Sequence, residues 1–136
     1  MFYYKTPNDE LHVLDDSKFE YVLPQGTMPL TYEEYIALAI PPKTIAQMVA
    51  EYEAATTQHL DAYAKTWKYV SMSDVATYLN SSVAKYKAEA AVLIAWRDIT
   101  WEAFDTITAK IEAAAKDAPT TVEEFLALLP AEPTRP

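Results

Sequence analysis

The residues able to carry chemistry are few and scattered. The chain has two histidines, His12 and His59, and no cysteine. The histidines lie on separate segments, and neither belongs to a zinc spacing such as H-E-x-x-H. His59 falls between Ala55 and Ala62 on an apolar helical stripe, the setting of a packed or partly exposed histidine rather than of a base or ligand. Asp9, Glu10, Asp15 and Asp16 can gather carboxylates at one sheet edge and would be the first place to look for a cation. They occupy turn positions, however, where Asp serves local backbone hydrogen bonds. The single glycine, Gly26, cannot build a dinucleotide or phosphate loop, which needs several points of close backbone approach. No catalytic, metal or cofactor residue is assigned, and an enzyme is not expected.

Aromatic residues and one arginine are the better leads. Trp96 and Trp101 flank Arg97-Asp98-Ile99-Thr100. Five residues apart on a helix, they differ by about 140° in direction, so at least one faces away from a narrow seam. Trp101 and then Trp67 lie off the seam positions, beside the charged Glu102 and Lys68, as interface anchors often do. Packing inside a helical domain is the competing reading for both. Arg97 sits with Thr100 in an apolar seam, where a guanidinium can stack on Trp101, pair with Glu51, Glu53 or Asp61 to fix helix register, or serve a partner. Phe2, Tyr3 and Tyr4 are the next candidate partner-binding residues.

These residues must be held by elements that the punctuation makes legible. Phe2-Tyr3-Tyr4, Leu11-His12-Val13-Leu14 and Phe19-Glu20-Tyr21-Val22-Leu23 are separated by Thr6-Pro7-Asn8-Asp9 and Asp15-Asp16-Ser17, the pattern of a small antiparallel β-meander. Thr31-Tyr32-Glu33-Glu34 is a capping box opening a short helix that stops before Pro41-Pro42. From Lys43 to Ala118 there is neither proline nor glycine. A helix over about Lys43–Lys68 is expected with the seam Ile45, Met48, Tyr52, Ala55, His59, Ala62 and Thr66. A longer one over Val83–Lys116, about 50 Å at the helical rise, carries Tyr86, Ala90, Leu93, Arg97, Thr100, Phe104, Ile107, Ile111 and Ala114. Joined through residues 69–82, the two fold back as a long antiparallel helical hairpin. Thr120-Thr121-Val122-Glu123-Glu124 offers a capping threonine and acidic first turn for a short C-terminal helix whose Phe125, Leu126, Leu128 and Leu129 cover the excess length of the longer helix. The expected fold is therefore mostly α. Residues 1–41 form the meander and capped helix, 42–130 the hairpin with the C-terminal helix, and 131–136 a loose tail.

Composition narrows the function. In 136 residues, 20 acidic side chains stand against 11 basic ones, a net charge of −9, which repels phosphate backbones and anionic lipid. Nucleic-acid and membrane partners are not expected. No stretch approaches 18 apolar residues, and the first residues lack the pattern of a signal peptide, so a soluble protein made in a cytoplasm is expected. The helix seams can close within one chain or between copies, which leaves a homo-oligomer compatible with the pattern.

Tyr3-Tyr4, Asn8, Glu10, His12, Leu14-Asp15-Asp16, Leu23-Pro24, Thr31 and Glu33-Glu34 resemble the start of small proteins encoded beside tail-fibre genes in tailed bacteriophages, including tail-fibre assembly chaperones. The segments Lys87–Trp101 and Thr121–Pro130 are similar to a helical domain from the same gene neighbourhoods. The resemblance implies a non-catalytic phage protein that binds a tail or tail-fibre component, as an assembly chaperone in the host cytoplasm or in the virion tail. The alternatives are a permanent subunit of the tail or baseplate and a small phage inhibitor of a host protein. No binding residue is carried over from the family.

Overall fold

A computed structural model describes the backbone of all 136 residues and every side chain except those of Ser17, Glu20 and Tyr21. The chain is mostly α and divides into two compact units, Met1–Lys43 and Thr44–Pro136.

The first unit holds a three-stranded antiparallel sheet of β1 (Phe2–Lys5), β2 (Leu11–Leu14) and β3 (Met28–Leu30), followed by α1 (Tyr32–Ala39). Strands β1 and β2 form a hairpin with Tyr3 opposite Val13 and Lys5 opposite Leu11. Its turn is closed by Thr6, whose amide donates to the Glu10 carbonyl and whose hydroxyl accepts from the Glu10 amide. The expected third strand over 19–23 is absent: Ser17–Val22 is a 3-10 helix. The cause is local, because the Asp16 carboxylate accepts from the Lys18 amide and the Asp16 carbonyl from the Phe19 amide, offering the backbone a turn in place of a ladder. The third strand is instead Met-Pro-Leu, and the order is β2-β1-β3, so β1 is central and the sheet is not a simple meander. Pro29, which lacks an amide proton, is tolerated because β3 lies at an edge. The Pro24–Thr27 turn leading into β3 places Gly26 at φ 89°, the position of a type II turn that favours glycine. The α1 capping box is formed as expected, with Thr31 and Glu34 exchanging side-chain-to-backbone bonds.

The second unit contains α2 (Ile45–Thr66), α3 (Met72–Ala76), α4 (Ala84–Glu112) and α5 (Val122–Ala127). On α4, Ala90, Leu93, Thr100, Phe104, Ile107 and Ile111 of the expected seam are buried, whereas Tyr86 and Ala114 are exposed. The seam expected on α2 is displaced. Its buried row is Tyr52, Thr56, Leu60 and Ala64, while Ile45 is exposed and His59 half-buried. Steps of four advance about 40° around the axis each time, so the row winds toward two different covers. Near its start Tyr52 packs with Phe104, Ile107, Ile111, Phe125 and Leu129. Near its end Leu60 and Ala64 pack with Met72, Val75, Leu93 and Trp96. Phe125 is fully buried, stacks on Tyr52 of α2 with ring centroids 4.5 Å apart and meets Phe104 of α4 edge to face at 5.9 Å in one cluster with Ile107 and Ile111, so the C-terminal helix does cover the far end of α4.

Both long helices end in the same way. Lys68 (φ 73°) and Ala114 (φ 52°) are left-handed. The following amides of Tyr69 and Ala115 reach back to the carbonyls of Ala64 and Lys110, which is a Schellman closure built without glycine.

Candidate binding site

The end of α2 and the start of α4 enclose a cleft of about 340 Å3, walled by Trp67, Tyr69, Tyr78 and Tyr86 and carrying Lys68, Lys85, Glu89 and Arg135. The three tyrosines form one row. Tyr69 meets Tyr78 at 5.3 Å and Tyr78 meets Tyr86 at 5.7 Å between ring centroids, both edge to face.

At the base of the cleft lies Glu89, 2% exposed on the core side of α4. A buried carboxylate is tolerable only when its lone pairs are met, and here they are. Oε2 accepts from the Tyr69 hydroxyl at 3.0 Å. The Arg135 guanidinium donates from Nε and Nη2 to Oε1 at 3.1 Å, with Nη2 also 3.2 Å from Oε2. Lys85, one turn earlier, keeps its Nζ 4.0 Å from Oε1. Arg135 also lies over the Trp67 ring, 5.7 Å from its centroid, an arrangement in which a planar cation gains from both the ring face and the carboxylate. Burial, then the hydrogen bond and the negative charge of Glu89, push the Tyr69 hydroxyl up to about 12. It keeps its proton and donates a hydrogen bond to Glu89 throughout the neutral range. The left-handed backbone of Lys68, which costs a non-glycine residue energy, lies at the rim.

Sequence reading missed this site almost entirely. Glu89 interrupts an apolar stripe next to Ala90, which is the one sequence signal of a buried charge. Its partner Arg135 is 46 residues away in a segment expected to be loose. That segment is tied down. The Trp96 indole N–H donates to the Pro130 carbonyl at 3.3 Å, the Tyr63 hydroxyl donates to the Pro133 carbonyl, and His59 Nε2 stands 3.9 Å from Glu132 Oε1.

The candidate residues chosen from sequence are not brought together. Trp67 is buried at 6% exposure and forms a wall of the cleft instead of a free anchor, because the Schellman closure turns it inward. Trp101 is half-buried between the two apolar clusters, edge-on to Phe104 at 5.2 Å. Arg97 pairs with its neighbour Asp98 at 2.8 Å, not with Glu51, Glu53 or Asp61, because its place on α4 is at the solvent boundary. In the first unit Tyr4 is buried at 4%, whereas Phe2 is 43% exposed. Tyr3 is half-buried against the rings of Tyr32 and Tyr35. Asp9 pairs with Lys5 and Asp16 with Lys18. Among the described residues no three His, Asp or Glu side chains stand together as metal ligands, and no helix is long and apolar enough to cross a membrane.

No family model matches this chain, and no curated protein or solved structure is found to be similar to it.

Proposed function

We propose that this is a non-catalytic phage protein that binds a tail or tail-fibre component, acting as an assembly chaperone through its first unit. The observation that carries the reading is an imbalance of burial. Among the described residues of Met1–Lys43 only Tyr4 and Thr6 are buried, while Phe2, Val13, Phe19, Val22, Met28, Tyr32, Leu38 and Ile40 are all at least 40% exposed. A small sheet with so little buried apolar surface is marginal by itself, and a surface of this kind is what a partner covers.

Among the described residues of that unit no strand pairs with the outer edge of β2, so an extended segment of an unassembled fibre chain can add to it as a further strand. A groove of about 280 Å3 lined by Tyr4, Leu23, Pro24, Thr27 and Pro29 offers a seat for an apolar side chain. The residues that resemble the fibre-chaperone start, Tyr3-Tyr4 through Glu33-Glu34, fall in this same unit. The mechanism is physical: apolar patches of the fibre chain are held until oligomerisation buries them.

Co-expression with a phage tail-fibre protein, chosen by whether a fibre gene adjoins the gene of this chain, tests the reading. Soluble, assembled fibre is expected only when this chain is present, and the chain should be depleted from mature virions. Phe2→Ser combined with Met28→Ser should weaken capture by about 2 kcal/mol or more with the helical circular-dichroism signal intact. Stoichiometric retention in virions would make it a permanent tail subunit. No association with any tail protein would sink both readings and leave the host-inhibitor alternative.

A further inference from the structure

The segment 130–136 reads Pro-Ala-Glu-Pro-Thr-Arg-Pro. Its prolines recur every third residue, the repeat of a polyproline II helix, and it forms neither helix, turn nor strand. Pro130 and Pro133 are half-buried while Ala131, Glu132, Thr134, Arg135 and Pro136 are exposed, so the period turns one face inward from Pro130 to Pro133. That face lies along a row of aromatic side chains. Trp96 and Tyr63, themselves 5.1 Å apart edge to face, donate to the carbonyls of Pro130 and Pro133, one period apart. Two residues beyond Pro133 the guanidinium enters the Trp67–Tyr69–Glu89 receptor described above. Among the described residues this segment makes no backbone-to-backbone hydrogen bond. Its seat is made of side chains that would serve equally for a peptide from another chain.

We infer that the second unit carries a recognition groove for proline-rich, arginine-bearing peptides of the form Pro-x-x-Pro-x-Arg, filled in this structure by the protein's own residues 130–136, and that a partner segment of that chemistry takes the same seat in trans. Indole N–H and phenol O–H groups at a three-residue spacing read the carbonyls of an extended peptide without regard to its exposed side chains. The buried carboxylate then fixes direction and selects arginine, whose planar fork fits both the Glu89 oxygens and the Trp67 face as a lysine ammonium does not. The peptide pays little ordering entropy because its prolines pre-set the conformation. The cleft that receives Arg135 is also lined by Tyr78, Tyr86 and Lys85, so it is larger than the guanidinium alone requires. The site is on the helical unit and is independent of the sheet surface proposed above, so each can fail alone.

The test uses the full chain carrying Arg135→Ala, which weakens the resident segment, titrated with the blocked peptide of sequence PAEPTRP while the indole N–H resonances of Trp67 and Trp96 are followed. Saturable shifts of both are expected. Binding should weaken by about tenfold or more when the peptide's arginine is replaced by lysine, or when Glu89→Gln is added to the chain. Wild type should bind the peptide more weakly, because its own segment competes at an effective concentration on the order of 1 mM. Absence of saturable shifts in a folded Arg135→Ala chain overturns the proposal. If that variant does not fold, wild type decides: millimolar peptide must shift the Trp67 and Trp96 signals in competition with the resident segment, and failure to do so overturns it. A concentration-dependent wild-type dimer that is lost on Arg135→Ala would assign the groove to exchange of the segment between copies and would equally overturn it.

Discussion

At the scale of single residues, the tightest constraint in the molecule is the Glu89 carboxylate, and its partners set a pH dependence whose sign follows from the geometry. The Tyr69 hydroxyl, raised to about 12 by burial and by the neighbouring negative charge, has a folded value above its ordinary value near 10. Its contribution to stability is therefore complete below about pH 10 and is lost as the pH rises through about 12. One of the ten tyrosines should ionise last, together with unfolding, in an alkaline titration followed by tyrosinate absorbance. Tyr69→Phe should remove that late step. The same substitution takes one charge-assisted bond from Glu89, a loss of about 1.5 to 3 kcal/mol in a thermal melt at neutral pH. A melt unchanged within about 0.5 kcal/mol would show that Glu89 is satisfied without the phenol.

At the scale of elements, the ends of helices carry testable strain. Ala114 closes α4 in the left-handed region, where a Cβ costs roughly 1 kcal/mol that glycine avoids. Ala114→Gly should therefore raise stability by about that amount in denaturant unfolding, although glycine within a helix does the reverse; a decrease would show that the closure is not populated. Phe104, 9% exposed and edge-on to Trp101 and Phe125, should cost about 3 to 5 kcal/mol when replaced by alanine. A loss under about 1 kcal/mol would remove it from the core. These ends also explain what could be read in advance. Threonine caps are local chemistry, so the starts of α1 and α5 were visible at Thr31 and at the pair Thr120-Thr121, of which Thr121 is the cap. With Gly26 the one glycine, helix stops had no marker, and α4 reads four residues too long at Lys116 when it ends at Glu112. The α4 stripe was legible because it has apolar cover from Ala90 to Ile111. The α2 row was not, since its winding depends on where α3 and α5 come to lie. The third strand was misread because Phe19, Tyr21 and Leu23 alternate as a strand does, and only Asp16's side-chain bond, a matter of geometry, decides for a turn. Glu89 and Arg135 were invisible as a pair because no pattern in a chain reports a contact 46 residues away.

At the scale of the whole molecule, burial is divided unevenly between the two units. Thr44–Pro136 contains both apolar clusters, whereas the described residues of Met1–Lys43 contribute one buried aromatic, Tyr4, and one buried threonine, Thr6. Local stability follows buried apolar contact, so the sheet should open far more often than the helices. Native-state hydrogen exchange gives the measurement. Amides of β1, β2 and β3 should exchange at least about 100-fold faster than those in the middle of α2 and α4, a difference of about 2.7 kcal/mol. A substitution in the helical core such as Phe125→Ala should speed exchange in the helices while changing the sheet little. A partner seated on the sheet surface should do the opposite, slowing β2 amides selectively as new main-chain bonds form along that edge. Equal protection of sheet and helices in the isolated chain would mean that the first unit is already stabilised without a partner, and the case for its exposed apolar side chains as a working surface would fall with it.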